Sequence, residues 1–182
     1  CGQRQGVVSE DVIYKLELLM KKAEVTVHDR AVIAPALQKA ALTGAPAAAM
    51  ELPDGTIVTG KTSDLLGASA ALLLNALKIL GGISDDIHLI SPVIIEPIQH
   101  LKVSHLGNRN PRLHTDEVLI ALSICAATNP TAELAMEQLA RLRGCEVHSS
   151  VILSAVDERV FRRLGINITC EPRYQTSKLY NV

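Results

Sequence analysis

The chain has 182 residues and a mass of 19.5 kDa, with 48% apolar and 20% charged residues, a size that fits one ordinary domain or at most two small ones and a composition that supports a packed core and argues against disorder. With 18 basic and 19 acidic residues the net charge is −1, which argues against a nucleic-acid footprint and against a polybasic membrane surface. Three Tyr, one Phe and no Trp exclude base-stacking platforms, aromatic cages and sugar-stacking surfaces.

Cysteines stand at 1, 125, 145 and 170, with no C-x-x-C spacing among them, so no closed zinc motif is present. A chain this large and apolar needs no disulfide framework, and free thiols suit a reducing cytoplasm. No charged-then-apolar leader opens the sequence, and its uncharged stretches are shorter than a bilayer span. A cytoplasmic protein with no membrane partner is therefore expected. Cys1 has two readings. It is either an N-terminal nucleophile freed by processing or the first residue of a fragment. The polar Gly2-Gln3-Arg4-Gln5-Gly6 after it favours the fragment.

In chain order, Ser9 opens a helical pattern with Val12, Ile13, Leu16, Leu19 and Met20 on one face. Asp29 is the expected cap of a second helix, which runs to about Leu42 and ends at Gly44; Pro35 marks a kink or the true start. Residues 45–52 and 56–59 flank Pro53-Asp54-Gly55, a hairpin signature. Ser63 is the expected cap of a long helix over 64–80, apolar nearly all round and therefore buried in a core or at a subunit contact. A short strand is expected over 87–90, and Ser91-Pro92 starts another helix with a bend at Pro97. The longest loop spans 107–112. Thr115 is the expected cap of a helix to about Ala127, and Asn129-Pro130 starts the next. Strands over 146–153 and 166–170 enclose a short helix over 157–164. The pattern reads as α/β or α+β: a short mixed sheet with helices in excess, a helical segment over 1–44 and an α/β domain over 45–182.

The chemistry-bearing stretches are few. Gly55-Thr-Ile-Val-Thr-Gly60-Lys61-Thr62 matches G-x-x-x-x-G-K-[ST] in letters. Its middle residues are β-branched and read as a strand, and Gly55 belongs to the turn, so a phosphate-wrapping loop is not favoured. A weaker reading places an anion on Lys61, Thr62 and Ser63 at a helix entrance. In the other reading Ser63 only caps and Lys61 is solvated. The segment 109–117 is the densest polar cluster. Arg109 and Arg112 would clamp a phosphate or carboxylate, and His114 would move a proton with Asp116 or Glu117 orienting it. Against this stands a solvated loop whose acids cap a helix. Asp86 with His88, and Glu96 with His100, offer only two ligands each and read better as a turn and a surface pair, so no metal is expected. Cys145 with Glu146 and His148 would form a thiol–imidazole dyad only if the strand bends. Cys125 reads as a small core residue, and Cys170 ends the last strand.

Four stretches carry a family resemblance: Leu52-Pro-Asp-Gly-Thr-Ile-Val-Thr-Gly-Lys-Thr-Ser-Asp-Leu-Leu-Gly-Ala-Ser69, Asn110-Pro-Arg-Leu-His-Thr-Asp-Glu-Val-Leu-Ile-Ala-Leu122, Arg143-Gly-Cys-Glu-Val-His-Ser149 and Leu164-Gly-Ile-Asn-Ile-Thr-Cys-Glu-Pro172. Together they resemble the C-terminal part of an uncharacterised bacterial family, domain of unknown function number eighteen-forty-six. The resemblance covers almost the whole chain, least securely its first 44 residues. It implies a longer cytoplasmic protein whose absent N-terminal portion holds a glycine-rich Gly-x-Gly-x-Gly-Lys stretch for any nucleotide. It implies no reaction and no catalytic residues, and it leaves the cofactor unknown.

Two functions follow. In the first, the chain gives a cytosolic protein an anion site for a small phosphorylated or carboxylated molecule, with the N-terminal part as its other partner. Lys61, Thr62, Ser63, Arg109 and Arg112 would bind, and His114, Asp116 and Glu117 would handle protons. That reading requires Lys61, Arg109, Arg112 and His114 to meet in one cleft. In the second, the chain is a homo-oligomerisation domain with no reaction, and the apolar helix over 64–80 must lie at the contact between copies.

Overall fold

A computed structural model describes residues 2, 6 and 8–175. Cys1 lies outside the described residues, as does the end of the tail after Gln175. Among the described residues there are seven α-helices and one four-stranded mixed sheet, the expected α/β class. The chain runs α1 (Glu10–Lys22), α2 (Ile33–Thr43), β1 (Ala47–Glu51), β2 (Ile57–Lys61), α3 (Ala68–Leu80), α4 (Pro92–His100), α5 (Thr115–Ala126), α6 (Pro130–Glu137), β3 (Glu146–Ser149), α7 (Ala155–Arg163) and β4 (Asn167–Cys170). No helix among the described residues is long and apolar enough to cross a membrane.

The strand order is β2-β1-β3-β4. β1 pairs antiparallel with β2 and with β3, and β3 pairs parallel with β4 through the α7 crossover. Pro53-Asp54-Gly55 makes the hairpin turn, with Gly55 at φ +84 and the Asp54 carboxylate accepting the Thr56 amide. Alternation along the strands separates two apolar layers. Ala48, Met50, Val58 and Val147 join the main core with Leu72, Leu73, Leu77, Leu122 and Phe161 from α3, α5 and α7. Ala49 and Ile57 face the other way, against Val32 and Ala36 at α2. The single Phe of the chain is fully buried; Leu and Ala supply most of the remaining packing.

Several helix starts differ from expectation for one physical reason: side chains that look like caps are engaged elsewhere. Ser63 does not cap α3. Its hydroxyl accepts the amides of Leu65 and Leu66 in a local turn. Residues 65–67 then pair with Leu113, the Leu113 amide donating to Leu65 and the Gly67 amide to Leu113. That extended pairing delays the helix to Ala68, with Gly67 as its cap residue. Thr115 does not cap α5 either, because its amide and hydroxyl both donate to Asp157, and His114 is the cap residue. Asp29 closes a short turn on Thr26, so α2 starts at Ile33 and Pro35 falls in its first turn without a kink. Residues 87–90 form bends, not a strand. Strand β3 stops at Ser149, whose hydroxyl accepts the Val151 amide as the chain turns away.

Two surfaces bear on the oligomer reading. α3 is buried within the one chain on most of its length, so its apolar character needs no contact between copies. By contrast α1 has no buried residue, and Val12, Leu16 and Leu19 on its apolar face are exposed.

Candidate functional site

The end of β3, the start of β1 and the end of β2 lie side by side because β1 runs antiparallel to both neighbours. The chain leaves this end of the sheet into α7 through Ser154, and into α3 through the turn at Ser63. The 65–67 pairing with Leu113 brings the start of α5 to the same place. Three helix N-termini therefore converge on one cleft of about 780 Å³. Gly67, Ala68 and Ser69 come from α3, His114, Asp116 and Glu117 from α5, and Ser154 to Asp157 from α7. Sites at the carboxyl ends of parallel strands are common in α/β proteins.

One wall is the 107–112 loop, and its position is fixed by a buried cation. Lys102 lies in a π-helical turn (Leu101–His105) after α4 and is only 4% exposed. Its ammonium donates to the Arg112 carbonyl at 2.7 Å and to Glu117 Oε2 at 2.8 Å. The Glu117 carboxylate also accepts the His114 amide at 2.8 Å, so one acid ties lysine, loop and helix start together. Arg112 donates through Nε to the Ser63 carbonyl and holds the turn before α3. Arg109 lies on the exposed side of the loop and also lines the cleft.

The imidazole of His114 is oriented by Asp157. Nδ1 lies 3.1 Å from Asp157 Oδ2, and Nε2 lies 3.4 Å from Asn110 Nδ2. A carboxylate can only accept, so Nδ1 carries a proton, and in the neutral imidazole Nε2 is the acceptor that faces Asn110. Asp157 is also bonded at its other oxygen by the Thr115 amide and hydroxyl, each at 2.9 Å, and Oδ2 accepts the Ser154 hydroxyl at 2.8 Å. The hydrogen bond that His114 donates to Asp157 raises its pKa above the ordinary value, against the opposing effect of burial. For Asp157, burial pushes the pKa up, but the bonds from His114, Thr115 and Ser154 outweigh it and hold the carboxyl below its ordinary range. A carboxylate-oriented imidazole of this kind is a competent general base or acid near neutral pH.

The cleft gathers some of the expected site residues and leaves others out. Thr62, Arg109, Arg112, His114, Asp116 and Glu117 line it, whereas Lys61 and Ser63 are exposed and are not among its lining residues. The helix entrance expected at 61–63 is instead formed by Gly67 to Ser69, for the pairing reason given above. Neither Asp116 nor Glu117 orients His114. Asp116 accepts the Glu117 amide, and Glu117 is engaged by Lys102. The orienting acid, Asp157, lies 43 residues further along the chain, and sequence reasoning missed it together with Ser154 and Lys102. The only local signal was the Ser154-x-x-Asp157 spacing of a helix start.

The other sequence motifs resolve into packing. The Gly55–Thr62 letters fall on the hairpin turn and β2, not on a phosphate loop. Asp86 accepts a hydrogen bond from Ser84 in a turn. Cys145 and His148 do not form a dyad. The Cys145 thiol faces the Arg141 carbonyl at 3.8 Å and is pushed up in pKa by burial. His148 bonds Thr169 at 2.8 Å and Glu171 at 3.3 Å, and burial lowers its pKa against the pull of Glu171.

The family described as "Domain of unknown function DUF1846, C-terminal" matches residues 28–180. A UPF0371 protein of Corynebacterium efficiens is 56% identical over 178 residues, covering 98% of this chain and 36% of the relative. A UPF0371 protein of Corynebacterium diphtheriae is 56% identical over 163 residues, 90% of this chain and 33% of the relative. One of Streptococcus equi subsp. equi is 54% identical over 173 residues, 95% and 35% respectively. The chain thus spans about a third of the length of the curated relatives it matches. On the extent of these matches, the chain belongs to the uncharacterised bacterial DUF1846 family and corresponds to its C-terminal domain.

Proposed function

We propose that the cleft binds a small phosphorylated or carboxylated molecule and that His114, oriented by Asp157, moves a proton on it. The observation that carries this reading is the convergence of the acid-free N-terminus of α3, two arginines and one carboxylate-bonded imidazole on a single cleft. First-turn amides lack intrahelical acceptors and sit at the positive end of the helix dipole, so they favour an anion. Arg109 and Arg112 would draw and orient it, and Thr62 would add a hydroxyl donor. Lys61 and Ser63 have no place in this version of the site. Any nucleotide would be bound mainly by the part of the longer protein outside this chain.

The test is thermal-shift screening of the full-length protein against nucleotides, phosphorylated metabolites and carboxylates, since a ligand bound by the folded state raises its stability by mass action. An Arg109→Ala/Arg112→Ala variant should bind any responding ligand at least about tenfold more weakly. His114→Gln should retain binding while losing turnover, by about 100-fold or more. A broad panel without a response, or an unchanged affinity in the arginine variant, would sink the reading.

The exposed face of α1 favours a partner within the same longer protein. The family's C-terminal domain begins at residue 28, after α1, yet the Corynebacterium efficiens relative matches over 98% of the chain. A helix with a clear apolar stripe, outside the domain match but inside the match to a full-length relative, suits packing on the preceding region. In the full-length protein Leu16→Glu should cost about 1–3 kcal/mol in denaturant unfolding. An unchanged unfolding midpoint would leave α1 without that partner.

A further inference from the structure

The three helix starts at the cleft are not equivalent. α5 carries Asp116 and Glu117 in its first turn, and α7 carries Asp157 and Glu158, so each already has carboxylates at its positive end. α3 has no acid in its first turn and no side-chain cap. The Gly67 amide is taken by the Leu113 carbonyl, which leaves the amides that follow it as the donors at this helix start.

Ser69 gives an independent sign. It lies in the first turn of α3, is 4% exposed, and lines the cleft. Its hydroxyl has no hydrogen-bond partner among the described residues. Yet no side-chain nitrogen or oxygen sealed from solvent among them lacks a partner. The Ser69 oxygen therefore opens into the cavity. A hydroxyl ordered on a rigid helix start, buried on every other side and aimed into a cleft, is placed to meet a ligand atom.

We infer that the first turn of α3 is the phosphate seat of the ligand bound in this cleft, with Ser69 as a binding residue. The amides of Ala68 and Ser69 and the Ser69 hydroxyl donate to phosphate oxygens, while Arg109 and Arg112 approach from the 107–112 loop. Donors on separate elements suit a tetrahedral phosphate, which offers acceptors in several directions, better than a planar carboxylate. The acids of α5 and α7 keep a second anion away from their own helix starts and leave His114 to act on the part of the ligand beyond the phosphate. The ligand class is accordingly a phosphate monoester. This inference rests on the reading of the cleft as a ligand site.

The test uses the full-length protein with inorganic phosphate and malonate as probes, titrated by calorimetry and by thermal shift. Phosphate should bind and stabilise, and Ser69→Ala should weaken it about tenfold while leaving the ligand-free unfolding midpoint unchanged. Arg109→Ala/Arg112→Ala serves as the separate control on the cleft. If phosphate binds, the arginine variant weakens it and Ser69→Ala does not, the seat at α3 is wrong and the cleft reading stands. If malonate binds and phosphate does not, the phosphate class is overturned. If neither probe binds and no phosphorylated compound stabilises the protein, both the seat and the cleft reading fall.

Discussion

Asp157→Ala is expected to destabilise the protein by about 3–5 kcal/mol, the range for removing one partner of a buried charged network. The side chain of Asp157 is 10% exposed and accepts from four groups: the Thr115 amide and hydroxyl, the Ser154 hydroxyl and His114 Nδ1. Alanine leaves the Thr115 amide without its acceptor at a buried helix start and frees the imidazole to rotate. Asp157→Asn keeps the shape and an oxygen for Thr115, so it should cost less, about 1–3 kcal/mol. Both variants remove the negative charge that raises the pKa of His114. The His114 titration followed by NMR should therefore move down in Asp157→Asn, even where the fold is retained. A stability loss below 1 kcal/mol in Asp157→Ala, with the imidazole titration unmoved, would show that Asp157 does not hold His114.

The same pair sets a pH window. The pKa of His114 is raised above 6.5, so its contribution is complete below that value and is lost as pH rises through the folded pKa. The pKa of Asp157 is lowered below 3.8, so its contribution is present above that value and is lost as pH falls through the folded pKa. The interaction is therefore fully formed between 3.8 and 6.5 and weakens on either side. Relative to His114→Gln, the wild-type unfolding midpoint should fall as pH rises above 6.5. Parallel curves for the two proteins would contradict the assignment.

The parts of the fold legible in the sequence are those whose chemistry is local. The hairpin was readable because Pro53-Asp54-Gly55 determines its own turn, and the mixed sheet was readable from strand runs separated by helical periods. Helix ends were less legible. Ser63 and Thr115 are both good caps by residue type, but one hydroxyl serves a local turn and the other serves Asp157. Nothing near Leu65 in sequence announces its pairing with Leu113. The site divides in the same way. The 109–117 cluster was visible because its polar residues are contiguous, and most of them do line the cleft. Asp157 and Lys102 were not, since each acts through a contact made only when distant segments fold together. Ser69 was hidden differently. In a run of Gly, Ala and Ser it reads as a spacer for close packing, and only its orphan hydroxyl facing the cavity sets it apart.

Close packing is nonetheless real at α3, and it lies one layer away, at Gly60. A Cβ on Gly60 would sit 2.2 Å from the Leu72 backbone nitrogen and 2.5 Å from its Cα. Those atoms belong to a helix backbone, so no rotamer change relieves the overlap, and α3 as a whole would have to lift from β2. Gly60→Ala should therefore cost about 3 kcal/mol or more, at the upper end of overpacking effects. The opposing gain from a stiffer unfolded chain is only about 0.4–1 kcal/mol. Denaturant unfolding measures the loss. The displacement also carries a functional consequence, because the helix that moves presents Ala68 and Ser69 to the cleft. At temperatures where Gly60→Ala is still folded, phosphate binding should weaken alongside stability, although Gly60 itself does not line the cleft. A stable Gly60→Ala protein with wild-type phosphate affinity would mean that α3 is not held against β2 at this point. A destabilised one with wild-type affinity would separate the seating of the helix from the geometry of its first turn.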